Sequence, residues 1–410
     1  MIAESTFPGV KRLDNQKLLF AQNKSFLTNI RILTRVGSTA EDDSIQGLAH
    51  ILEHMFFKGS KKRPGGTAIS RAANDIGGKM NAYTTYDHTV YYITILNDKF
   101  EEGFDILADM FQNPLFPPEE FAKELNPILS EFREREDDPD SFLAERVLQK
   151  YLGKNYHPVI GTEESIKSAT AEKMHAFKNR FYGGDNTLIS IVGGISEDRV
   201  KNAVGEYFSN PGAKEEPPTV QMTFNEGELS LSKKGIQEAY YMLLYPSLSH
   251  DHPERYKQDM MNYLLGGNDS ALLFERIREE LGMSCYGIYS WMMRHDGFSL
   301  LGISAGIAED ELDQLHGEVE NQIKIICDSK LGMDRLERGK ASLRTSIAAK
   351  SETSTGLNGM YSVPILRGET EDPVQKALRE IESITLDDIL EQARATFSGP
   401  AFKAMLLPEK

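Results

Sequence analysis

Apolar residues recur along this chain at two alternating periods. In NIRILTRVGS (29–38), Ile30, Ile32, Thr34 and Val36 share one face at period two, which predicts a strand ending at Gly37. Over 44–57, Ile45, Leu48, Ile51, Leu52 and Met55 recur at helical spacing instead. The stretch 77–96, rich in Tyr, Thr, Val and Ile around a polar break, predicts a strand pair. An amphipathic helix over 100–114 follows, through Phe104, Leu107 and Phe111 and stopped by Pro114. A second helix begins near Pro117 and runs through Glu131; TLISIVGGIS (187–196) is a buried strand, and 197–208 another helix.

SNPGAKEEPPTVQ (209–221) breaks this alternation with three prolines, a glycine and a charge cluster, so the linker is placed at 209–225, between halves spanning 1–208 and 226–410. Beyond it the pattern resumes: strand at 239–247, helix at 253–267, strand at 297–306, then helices near 309–327 and 332–350. The shared order of elements predicts a duplicated α+β unit.

Length agrees, since 410 residues exceed what one compact core usually supports. The balance of 46 basic against 62 acidic residues gives a net charge of −16, which argues against nucleic acid as partner and suits basic peptides. Two cysteines, Cys285 and Cys327, provide no disulfide framework. MIAESTFPGV has no basic region followed by an apolar run, and no stretch has the length of a membrane span. The expected compartment is cytoplasmic, or periplasmic or organellar if a leader has been removed.

HILEH (50–54) carries the chemistry. Residues at i and i+4 share a helix face, so His50 and His54 can offer nitrogens to one Zn²⁺, with Glu53 beside it as proton acceptor. This is the H-x-x-E-H arrangement, the reverse of H-E-x-x-H. A catalytic zinc needs a third protein ligand, and the best supplier is 119–139, where Glu124 and Glu131 lie seven apart on one helix face. Pro127 between them should kink that helix and turn the two carboxylates apart.

HILEHMFFKGS resembles the zinc-binding segment of the pitrilysin-like metallopeptidases, and 69 and 76 residues separate His54 from Glu124 and Glu131, the spacing this family uses. SEFREREDDP, MNAYTTYDHTVYY (80–92) and HPVIGTEESI (157–166) are similar to further family segments, so the likeness spans most of 29–195. The resemblance implies that His50, His54 and Glu131 ligate one Zn²⁺ per chain, that Glu53 is the general base, and that Glu124 tunes the site from behind. It also implies that Asn81, Ala82, Tyr83 and Thr84 belong to an edge strand on which an extended peptide adds main chain to main chain.

A second likeness lies in GGNDSALLFERIREELGMSCYGIYS (266–290), where the family has an arginine and a tyrosine that clamp the peptide. Arg278 matches; the tyrosine position falls on Cys285, and Tyr286 aligns if the loop GMSC holds one extra residue. Cys285 itself has no nearby histidine to activate it and reads as a small buried residue.

The fold expected is α+β, two homologous halves that each carry a mainly antiparallel sheet with helices on one side. The activity implied is zinc metalloendopeptidase action on unfolded peptides within a dimer-enclosed chamber. A homodimer needs no other chain, while a heterodimer with a zinc-less relative is the alternative pairing. The rival readings are a non-catalytic subunit of a larger assembly and a structural zinc, the latter disfavoured because the cysteines lie far from the motif.

Overall fold

The same strand order occurs twice in the chain. A computed structural model describes residues 9–13, 16–209, 214–219, 221–328 and 331–409, without the side chains of Val10 and Tyr286. Its strands are β1 (Val10–Leu13), β2 (Gln16–Gln22), β3 (Leu27–Thr34), β4 (Lys79–Thr84), β5 (Thr89–Leu96), β6 (Thr187–Gly193), β7 (Gly227–Lys233), β8 (Ala239–Pro246), β9 (Cys285–His295), β10 (Phe298–Ile307) and β11 (Phe402–Pro408). They form two sheets, β1-β2-β6-β3-β5-β4 and β7-β11-β8-β10-β9. Without β1, both read first-fifth-second-fourth-third in chain order. Each has one parallel pair, β2 with β6 and β7 with β11, and is otherwise antiparallel. The α+β duplication is thereby established at the level of topology.

Two compact units result, one from residues 1–132, 157–219 and 346–376, the other from 133–156, 220–345 and 377–410. Helix Pro139–Leu152 therefore sits in the second unit, against β7, β8 and β11, and helix Ser354–Leu366 sits in the first, against β3 and β6. The described residues of 209–225 form no helix or strand, and 210–213 and 220 lie outside the description.

In the first unit, Ile30, Ile32, Ile189 and Ile191 face a core shared with helices Leu48–Phe56 and Phe100–Gln112. The alternate residues Asn29, Arg31 and Ser190 face the opposite way, against Ser354–Leu366. Helices thus cover both faces of the central strands. The second interface is polar: Asn358 donates to the carbonyls of Asn29 and Ser190 at 3.0 and 3.1 Å and accepts from the Ser190 hydroxyl at 2.5 Å. Arg31 is buried there, giving Nη2–H to the Thr355 carbonyl at 3.0 Å and lying over the Tyr92 ring.

The helix Leu48–Phe56 buries Leu48, Ala49, Ile51, Leu52, Met55 and Phe56. Phe56 anchors it in an aromatic cluster, 4.7 Å from the Tyr91 ring, 5.4 Å from Phe116 and 5.6 Å from Tyr182. At its start Gly47 has φ 80°, and an added Cβ would lie 2.6 Å from the Ile160 carbonyl oxygen, so glycine is needed on both counts. The buried Glu41 carboxylate accepts from the N–H groups of Gly47 and Ala49 at 2.6 and 2.7 Å, satisfying donors a helix start leaves open. Burial pushes the Glu41 pKa well up against these N–H groups, which favour its charge. Among the described residues no helix is long and apolar enough to cross a membrane.

Candidate metal centre

His50 and His54 project from one face of Leu48–Phe56, their ring centroids 4.7 Å apart. Helix Pro118–Asp137 supplies both carboxylates and runs through Pro127 without interruption. Pro127 and Lys123, whose carbonyl loses its intrahelical donor, are both exposed residues. Glu124 and Glu131 do not turn away from each other's target. They approach the two nitrogens of one imidazole: Glu124 Oε1 lies 3.0 Å from His54 Nδ1, and Glu131 Oε2 lies 3.6 Å from His54 Nε2. Glu131 Oε2 is also 3.4 Å from His50 Nε2. His50, His54 and Glu131 each offer one ligand atom, all within 4.8 Å of one another.

These residues fit zinc. Four ligands at zinc's usual bond lengths define a tetrahedron with edges of roughly 3.4 Å, close to the two separations involving Glu131. The donor set of two imidazole nitrogens and one carboxylate oxygen is that of an open, catalytic-type site.

Behind the candidate ligands, Glu124 is shared. Its second oxygen accepts from Lys58 Nζ at 2.5 Å while the first takes His54 Nδ1–H, leaving His54 Nε2 to face the ligand position. Burial would lower the His54 pKa, but its bonds to Glu124 and Glu131 and the Glu53 charge outweigh that and raise it to about 9. Burial works against Glu124's charge, yet His54 and Lys58 hold its pKa below the ordinary value. His50 Nδ1 has no hydrogen-bond partner among the described residues.

Glu53 directly precedes His54 on the same helix, and its Oε2 accepts from the Thr84 hydroxyl at 2.6 Å. Thr84 ends β4, one of the two edge strands of its sheet. On that strand Asn81 and Tyr83 are exposed and Ala82 buried, with Asn81 Oδ1 accepting from the Ala82 N–H. The structure thus brings together His50, Glu53, His54, Thr84, Glu124 and Glu131. It adds Lys58 and Glu41, for which the only sequence signal was proximity to the motif.

Arg278 belongs to the other unit, in the π-helical segment Glu275–Glu280, with its guanidinium 5.3 Å from the Phe274 ring. The Tyr286 side chain lies outside the described residues. Its backbone is the extra residue of a β-bulge, since Cys285 pairs with Ile307 and Gly287 with Gly306. Burial pushes the Cys285 thiol up to about 11, which removes it as a nucleophile near neutral pH.

A doubled α+β fold with a His-His-Glu group beside an edge strand defines a class, and comparison with known proteins specifies it. The family model described as Insulinase (Peptidase family M16) matches residues 19–158, and that of the Peptidase M16 inactive domain matches 168–343. The chain belongs to the M16 peptidase family, the insulinase and pitrilysin group, in its short two-domain form. It is 27% identical to an uncharacterized zinc protease of Rickettsia felis over 407 residues, 97% of each chain. It is likewise 27% identical over 377 residues to the uncharacterized zinc protease YmxG of Bacillus subtilis, 91% of each chain. A solved protease structure from Helicobacter pylori shares the fold, with a TM-score of 0.90 over 98% of this chain and 100% of that one at 19% identity.

Proposed function

We propose that this chain is a zinc-dependent endopeptidase that hydrolyses unfolded or extended peptides, with Glu53 as general base. The observation that carries the reading is the meeting of His50 Nε2, His54 Nε2 and Glu131 Oε2, with the Glu53 carboxylate on the same helix and tied to β4. The zinc-protease descriptions of full-length relatives support it.

His50, His54 and Glu131 would hold the ion, which when bound polarises a scissile carbonyl and acidifies a water. Glu53 takes the proton from the attacking water and returns it to the leaving amine, and Thr84 fixes which carboxylate oxygen is free to do so. Glu124 and Lys58 keep His54 in the tautomer that presents Nε2. The free edge of β4, through Asn81 to Thr84, receives the peptide as an added strand. Arg278 and Tyr286 are proposed as peptide-clamping residues on family resemblance alone. A homodimer enclosing a chamber is the proposed assembly, and the acidic balance suits basic peptides.

Hydrolysis of an unstructured basic peptide by the native chain and by Glu53→Gln, under matched zinc, tests this. The expected result is cleavage by the first and a loss of about a thousandfold or more in the second. Equal cleavage by both would remove Glu53 as the base.

A further inference from the structure

The turn that follows Thr84 is held more firmly than a surface hairpin requires. Residues 85–88 join β4 to β5, and within them Asp87 and His88 are only 3% and 6% exposed. One Asp87 oxygen takes the Thr85 hydroxyl at 3.1 Å and meets His88 Nδ1 at 2.6 Å. The Thr85 N–H closes the turn onto the His88 carbonyl at 2.8 Å.

Two other parts of the chain grip this turn. From one side, the Thr39 N–H and hydroxyl donate to the Tyr86 carbonyl at 2.8 and 2.7 Å. Beside it Gly37 packs so closely that a Cβ there would lie 2.2 Å from the Thr85 carbonyl oxygen. From the other side, the Arg367 guanidinium pairs with the second Asp87 oxygen, its side chain 12% exposed and that of Asp87 2%. Arg367 directly follows helix Ser354–Leu366, the segment the C-terminal half contributes to this unit.

From this geometry we infer that Arg367 is a positioning residue for the proposed reaction: through Asp87 it sets the β4–β5 turn, and through the turn it sets the Thr84 hydroxyl on Glu53. A buried carboxylate that loses its guanidinium partner is disfavoured, and the Asp87 oxygen facing Arg367 must be reached by water or turned outward. Either response shifts Thr85 and Tyr86, the two residues between Asp87 and Thr84. A hydroxyl 2.6 Å from Glu53 loses its hold with a displacement well under 1 Å. The C-terminal half would therefore act on the base with no contact to zinc or substrate.

This inference rests on the peptidase reading, and the experiment separates the two. Steady-state kinetics are compared for the native chain, Arg367→Gln, Thr84→Val and the double variant, with zinc content measured on each. Arg367→Gln is expected to lower kcat about tenfold at unchanged zinc content. In the Thr84→Val background the same substitution should change kcat less than about twofold, because the link it works through is already cut. Arg367→Lys, which keeps the charge, should recover part of the loss. Full additivity, or a lower Tm with native kcat, would overturn the inference.

A second arm needs no turnover. Hydrogen exchange at the amides of 82–88 should quicken about tenfold in Arg367→Gln, while helix Phe100–Gln112 keeps its native rates. Unchanged exchange at 82–88 overturns the clamp. If the native chain cleaves no peptide, the peptidase reading falls and the exchange result alone decides the clamp.

Discussion

His54 is the residue on which the site turns. Each ring nitrogen faces a different glutamate, one to orient it and one to share a ligand position. The surrounding carboxylates keep a proton on it up to about pH 9 despite burial. A metal must displace that proton, so zinc uptake by the metal-free protein releases one wherever the pH is below about 9. Apparent zinc affinity is then expected to rise about tenfold between pH 7 and pH 8 and to level off above about 9. Competition against a chelator of known affinity reads this directly, and a flat profile would contradict the raised pKa. The sign for folding is the opposite. The His54 charge supports the metal-free fold below about pH 6.5, and that support is lost as pH rises through about 9. Much of this residue-scale picture was legible: i, i+4 spacing puts two histidines on one helix face whatever the tertiary structure. Lys58 and Glu41 were not, because a lysine or glutamate reveals its partner only when a distant segment arrives. Thr84 was named for the peptide strand, and its hydroxyl is directed at Glu53.

Among the elements, the carboxylate helix departs from the expectation set by Pro127. A proline inside a helix costs one hydrogen bond and some crowding, but on an exposed face the freed carbonyl can bond to water. Helix Pro118–Asp137 continues through Pro127, and Glu124 and Glu131 both reach His54. The strands and helices with clean periodicity fell close to their expected bounds. For example, Phe100–Gln112 was expected at 100–114 and Phe298–Ile307 at 297–306. Sequence pattern did not reveal which sheet a helix would cover. Ser354–Leu366 carries Asn358 and Ser362 toward β3 and β6, a polar face that amphipathic reasoning assigns to solvent. That face makes a sharp prediction. Asn358→Ala leaves two carbonyls and the Ser190 hydroxyl without their buried partner, and should cost about 3 kcal/mol or more of unfolding free energy. Urea denaturation is the measurement. A loss under about 1 kcal/mol would mean that water replaces the amide.

For the whole molecule, the repeated first-fifth-second-fourth-third strand order in both sheets is the strongest sign of duplication. Sequence suggested it through element order alone, since β11 lies at the chain's end, where a short apolar run fits strand and helix alike. The exchange of Pro139–Leu152 and Ser354–Leu366 makes each unit depend on chain from both halves. The His-His-Glu group of HILEH and Glu131 lies wholly within the first unit. One zinc per chain, held at that group, is the claim on which the rest depends. The most direct test is metal content by mass spectrometry, on native protein and on His54→Ala, each checked for native circular dichroism. About one zinc per native chain is expected, and none retained by the folded variant. A folded His54→Ala that keeps stoichiometric zinc would contradict it.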